Sequence, residues 1–114
     1  MWRCVCIFIQ DNIHYTTINM NKHSIVKDIE ICAVKFHISS CTVVIITVYR
    51  SPTGNIAYFL NNLEAALNQI YSNTVTIVLG GDFNINYFSD SQNKQALNSL
   101  LITYSLSSVI DFPT

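Results

Sequence analysis

The period of the apolar positions changes after residue 50 of this chain. Up to there the apolar residues alternate or run continuously, as in strands; over 56–70 they return every three or four positions, as on one side of a helix. Cys4–Ile9 and Ile13–Ile18 read as two strands joined by an Asp11-Asn12 hairpin turn. Asn19–Lys27 is polar and reads as a loop. Ile29–Ile38 and Thr42–Tyr49 read as two more strands, joined by Ser39-Ser40, and the second is apolar enough to be covered on both faces. Ile56, Phe59, Leu60, Leu63, Leu67 and Ile70 form one helix face, which Asn55 or Thr53 can cap. A strand at Val75–Leu79 follows, then a loop at Asn86–Asn93. The second predicted helix is Gln92–Tyr104, with Ala96, Leu97, Leu100, Leu101 and Tyr104 inward, and Val109–Phe112 is a short last strand.

Composition sharpens this to a single core-rich unit. Of 114 residues, 50% are apolar and 11% charged, against roughly 25% charged in an ordinary soluble domain. Such a chain has too little polar surface, as expected of a piece that packs against more protein. The net charge is −1 and the six basic residues are scattered, so no basic stripe marks a nucleic-acid surface. The apolar runs are far shorter than a membrane-spanning helix requires, and no cleavable leader is evident at Met1–Ile9. The compartment stays open, with an intracellular one expected. Cys4, Cys6, Cys32 and Cys41 lie in apolar segments without zinc-ligand spacing and read as buried, reduced thiols. His14, His23 and His37 read as strand or loop residues.

The chemistry concentrates at Val75-Thr76-Ile77-Val78-Leu79-Gly80-Gly81-Asp82-Phe83-Asn84. An apolar strand ending in an acid and an amide two residues apart resembles the way open α/β sheets present a reactive edge. In an extended chain Asp82 and Asn84 would face one point while Phe83 turns to the core; a plain turn after the strand is the competing reading. Thr42–Leu79 reads as strand, helix, strand, a crossover that makes the two strands parallel. Both then end at one edge, so Tyr49 and Arg50 come beside Asp82 and Asn84. A phenol and a guanidinium suit phosphate oxygens, and a carboxylate can orient a water. Arg50 as a merely solvated residue is the alternative.

Several motifs fail. No GxxxxGK[ST] loop accompanies the acid, and no dinucleotide fingerprint is present. Asp82, Asn84 and Asn86 imitate the first ligands of an EF-hand loop, but Tyr87 and Asn93 occupy its glycine and glutamate positions.

Taken in order, Val48-Tyr49-Arg50-Ser51-Pro52, Gly81-Asp82-Phe83-Asn84-Ile85-Asn86 and Phe112-Pro113-Thr114 make the chain resemble the endonuclease/exonuclease/phosphatase superfamily. The likeness is strongest to the endonuclease domain of insect non-LTR retrotransposons and spans essentially the whole chain. The resemblance implies a DNase-I-like α/β sandwich of two sheets flanked by helices, and Mg²⁺-dependent (or Mn²⁺-dependent) cleavage of phosphodiesters in DNA. It implies Asp82 as the carboxylate that orients the attacking water and Asn84 as the amide that positions it, both also potential metal contacts. Tyr49 would hydrogen-bond near the scissile phosphate, Arg50 would meet substrate phosphate, and Glu30 would be structural.

The departures set the expectation for activity. The family's metal-binding glutamate would precede Met1, its Ser-Asp-His segment would follow Thr114, and Pro52 stands where apurinic endonucleases carry an asparagine. Residues 1–114 are therefore expected to form one partial domain, a fragment of a DNA endonuclease that is inactive alone. The alternative is a domesticated or decayed non-catalytic binding module, with self-association through exposed sheet edges.

Overall fold

Alternating burial along two long strands lays down the sheet on which everything else packs. The computed structural model describes residues 6–24, 29–51, 55–85 and 91–107. It is a mixed α/β domain: a four-stranded sheet of order β1-β2-β3-β4, with two helices. The strands are β1 (Thr16–Ile18), β2 (Ile29–Ile38), β3 (Cys41–Arg50) and β4 (Val75–Asp82); the helices are α1 (Ile56–Ile70) and α2 (Ser91–Thr103). No helix among the described residues is long and apolar enough to cross a membrane.

β2 and β3 form an antiparallel hairpin in continuous register from Ile29↔Arg50 to Ile38↔Cys41. Ser39 and Ser40 make its two-residue turn, and Ser39 adopts a left-handed φ of 56° of the kind such short hairpin loops require. The predicted turn is present; β2 has the bounds that the apolar pattern implies, and β3 runs one residue further at each end. β3 then crosses through α1 to β4, which pairs with it in parallel from Thr42↔Val75 to Tyr49↔Asp82, as the strand-helix-strand reading requires.

On β3 the residues Val44, Ile46 and Val48 are buried; on β2 Ala33 and Ile31 pair with Ile46 and Val48, and buried Ile29 pairs with Arg50. Against this face α1 sets Phe59, Leu63, Ala66 and Leu67, all 0% exposed, and α2 adds Leu97 and Leu100. Each of the larger side chains here contributes about 1.5–3 kcal/mol by leaving water. Ala96, expected inward, is exposed, because the buried stripe of α2 runs through Leu97 and Leu100 instead.

α1 begins where Asn55 caps it: the Asn55 Oδ1 accepts the Ala57 and Tyr58 amides at 2.8 and 3.1 Å. It ends as Ser72 and Thr74 take the backbone into a turn, with the Thr74 N–H on the Ser72 hydroxyl.

The N-terminal expectation holds only in part. The turn at Asp11-Asn12 exists, closed by the Ile13 N–H on the Gln10 carbonyl at 3.0 Å. Yet Cys6–Ile9 is not a strand, and the second strand shrinks to Thr16–Ile18. β1 is the outermost strand of the described sheet, and Phe8 is 92% exposed, so it gives no packing to hold an extended pair. Of the loop expected at Asn19–Lys27, residues 19–24 are described and hold a 3₁₀ turn at Asn21–His23, with His23 buried and its Nε2 2.7 Å from the Gln69 Oε1. The predicted strand at 109–112 lies outside the described residues. The thiols depart from expectation too: among the described residues Cys6 and Cys41 are exposed and Cys32 is partly buried, while Cys4 lies outside them.

Candidate functional site

The C-terminal tips of β3 and β4 meet at the end of their parallel ladder. Tyr49 and Asp82 are direct cross-strand partners there, so their Cα atoms stand one strand spacing apart, about 4.8 Å. Tyr49 is half-buried and Asp82 exposed. β4 runs beyond the expected Val75–Leu79 and carries the ladder through Gly80 and Gly81 to Asp82. Gly81 makes this possible. Its φ is +138°, and a Cβ built there would collide with the Val48 carbonyl and come within 2.8 Å of two further Val48 backbone atoms. Only glycine lets the two tips approach so closely.

Beyond Asp82 the chain bends, and the bend redirects the amide. Asp82 Oδ1 accepts the Asn84 N–H at 3.0 Å, an Asx turn of the kind that ends strands. Asn84 is left-handed, with φ 51°, a conformation asparagine tolerates well. Its side-chain Nδ2 donates to the Arg50 carbonyl. Asp82 and Asn84 therefore do not project together as residues two apart in an extended chain do, because the chain is no longer extended. Phe83 turns to the core as expected, 5.9 Å from the Phe59 ring centroid.

Arg50 completes the join from behind. It alternates with Tyr49, so its side chain leaves β3 on the core face and is 7% exposed. Nε donates to the Phe83 carbonyl and a terminal guanidinium nitrogen to the Asn84 carbonyl, each at 2.7 Å. The guanidinium also sits 5.9 Å above the Phe59 ring, within cation–π reach. Arg50 and Asn84 thus exchange side-chain-to-carbonyl bonds in both directions and lock the end of β3 to the segment after β4. Tyr49 and Asp82 stand together on one side of this lock; the guanidinium stands on the other.

Glu30 has a place that its sequence position alone did not suggest. It pairs with Tyr49 across the β2–β3 hairpin, which gives a row of Glu30, Tyr49 and Asp82 over three adjacent strands. The two carboxyl-bearing Cα atoms flank the phenol-bearing one at about 10 Å from each other, two strand spacings. The signal was available: a two-residue turn at Ser39-Ser40 pairs Ile38 with Cys41, and counting back from it reaches Glu30 opposite Tyr49.

Oxygen donors for a hard divalent cation are sparse. No group of three or more His, Cys, Asp or Glu side chains gathers among the described residues, and Mg²⁺ seeks an octahedron of oxygens. Asp82 offers one carboxylate oxygen beyond the one its turn uses, and Glu30 lies two strands away. These residues do not by themselves make a magnesium site. No protein-family model matches the chain, and no curated protein or solved structure does so either.

Proposed function

We propose that this chain is part of a DNase-I-like phosphodiester-cleaving domain, and that it contributes the Tyr49 and Asp82 side of the cleavage site. The observation that carries the reading is the Tyr49↔Asp82 pairing at the tips of two parallel strands, at an edge where α/β sheets commonly bind ligands. The order of the YRSP and GDFN motifs around that pair supports it. In this reading the Asp82 carboxylate accepts a hydrogen bond from, and so aims, a water beside the phosphate. The Tyr49 hydroxyl donates to a phosphate oxygen. Asn84 and Arg50 act from behind by fixing the backbone that carries both, and contact of Arg50 with substrate phosphate requires its two carbonyl bonds to open. The substrate is DNA, as in the resembled endonucleases. Magnesium enters only as that family's requirement; further donors must complete its shell, and no step here is drawn through it.

Plasmid nicking and NMR test this together. The purified chain with supercoiled plasmid and Mg²⁺ is expected to nick marginally, with that trace lost on Asp82→Ala. Robust Asp82-dependent cutting would mean that these residues already suffice for catalysis. A short DNA duplex with Mg²⁺ is expected to shift amide resonances at residues 48–51 and 80–84, less so in Tyr49→Phe. Resonances that stay in place to millimolar duplex would refute the proposal.

A second reading, a non-catalytic interaction module, draws on the same turn. Asp82 Oδ1 and the Asn84 amide are both engaged with backbone, which is what a purely architectural strand end needs. Shifts by duplex that ignore Mg²⁺ and survive Asp82→Asn would favour it.

A further inference from the structure

We propose that the open side of β4 is a self-pairing edge: two copies of this chain join antiparallel through it, about a two-fold axis at Val78, into one eight-stranded sheet. Among the described residues β4 ends the sheet, with β3 on one side and no strand on the other. Sheet edges in monomers are usually guarded by lysine, proline, a bulge or a very short strand. β4 has eight residues and carries neither lysine nor proline; its single charge, Asp82, is its last residue. Val78, at the middle, is 50% exposed.

The sequence of β4 selects a second copy over an unrelated strand because it complements itself. In an antiparallel pair across a two-fold axis the paired numbers have a constant sum, and faces match only if both are odd or both even. An axis at Val78 is the choice that uses every residue from Val75 to Gly81. On the helix-bearing face Ile77 meets the partner's Leu79, and large apolar groups lie opposite each other. On the other face Val78 meets the partner's Val78, and Thr76 meets the partner's Gly80. A Cβ at Gly80 would touch nothing within 4 Å, so there is room beside it for the threonine. The two Asp82 residues go to opposite ends, about 27 Å apart at 3.4 Å per residue, and no like charges meet. Moving the axis to Leu79 would leave Val75 unpaired. This pairing is independent of the phosphodiester reading, since it leaves Tyr49 and Asp82 at the far rims.

Sedimentation equilibrium under reducing conditions, from low to high micromolar, tests it. The wild type should pass from monomer to dimer, and the β4 amides should gain hydrogen-exchange protection with concentration. Val78→Lys puts two ammonium groups on the axis at a position exposed in the monomer. Gly80→Val fills the space opposite Thr76. Each should keep the far-UV spectrum and weaken association at least tenfold. A wild type that stays monomeric throughout, or variants that associate as it does, would overturn the proposal. So would open-ended aggregation insensitive to both substitutions.

Discussion

Replacing Gly81 by alanine should be among the most damaging single changes in this chain, while the same change one residue earlier should do little. At Gly81 two costs add. A φ of +138° is foreign to residues with a Cβ, and holding one there costs on the order of 1–3 kcal/mol. The new methyl would also collide with the Val48 carbonyl, forcing β3 and β4 apart at the rung beside Tyr49 and Asp82. Losing one or two rungs adds about 1 kcal/mol for each hydrogen bond. A total near 3–4 kcal/mol is expected, roughly 2 M in urea midpoint for a domain of this size. At Gly80 the methyl meets nothing within 4 Å, so the reduced freedom of the unfolded chain should leave it neutral or stabilising by up to about 1 kcal/mol. Urea melts followed by far-UV circular dichroism measure both. Equal midpoints for the two variants, or Gly81→Ala within about 0.5 kcal/mol of wild type, would refute the close-approach argument.

Arg50→Met keeps the buried stem but strands the carbonyls of Phe83 and Asn84; it should cost about 2–4 kcal/mol, read in the same melts, with an intact midpoint counting against the lock. Asn55→Ala removes the acceptor for two amides at the start of α1 and should cost about 1 kcal/mol, seen as faster hydrogen exchange in the first turn only. Burial pushes the Cys32 thiol above its ordinary value, and the neighbouring Cys6 thiol adds to the rise. Less thiolate is then present at a given pH, so at pH 8 iodoacetamide should label Cys32 more slowly than exposed Cys41, with the gap closing as pH rises. Labelling of Cys32 ahead of Cys41 would contradict this.

Where side-chain pattern and backbone demand agreed, the sequence was legible. The Asn55 cap, the Phe59–Leu63–Leu67 stripe, the β2–β3 hairpin and the parallel placement of Val75–Leu79 beside Thr42–Tyr49 follow from periodicity and one crossover rule. The N-terminal segments are less extended than their apolar pattern implies, because an apolar run states that residues would gain by burial, not that a partner surface exists. The site divided in the same way. That Tyr49 and Asp82 meet was implied by strand order. That Arg50 turns away from them was implied by alternation, yet the attraction of a guanidinium for phosphate obscured it. The hand-off of Asn84 to the Arg50 carbonyl depends on a left-handed residue after the strand, and no spacing rule encodes that.

The reciprocal bonds between Arg50 and Asn84, backed by Phe59 and Phe83, make the rim of the sheet continuous with its interior. Prising the two strand ends apart would mean pulling an aromatic plug out of the helix-covered layer. A guest arriving at Asp82 would thus find a scaffold already set and would spend little on arranging it. The same stiffness means that damage to the plug, for instance Phe59→Ala, should be felt at the rim although that residue never reaches the surface.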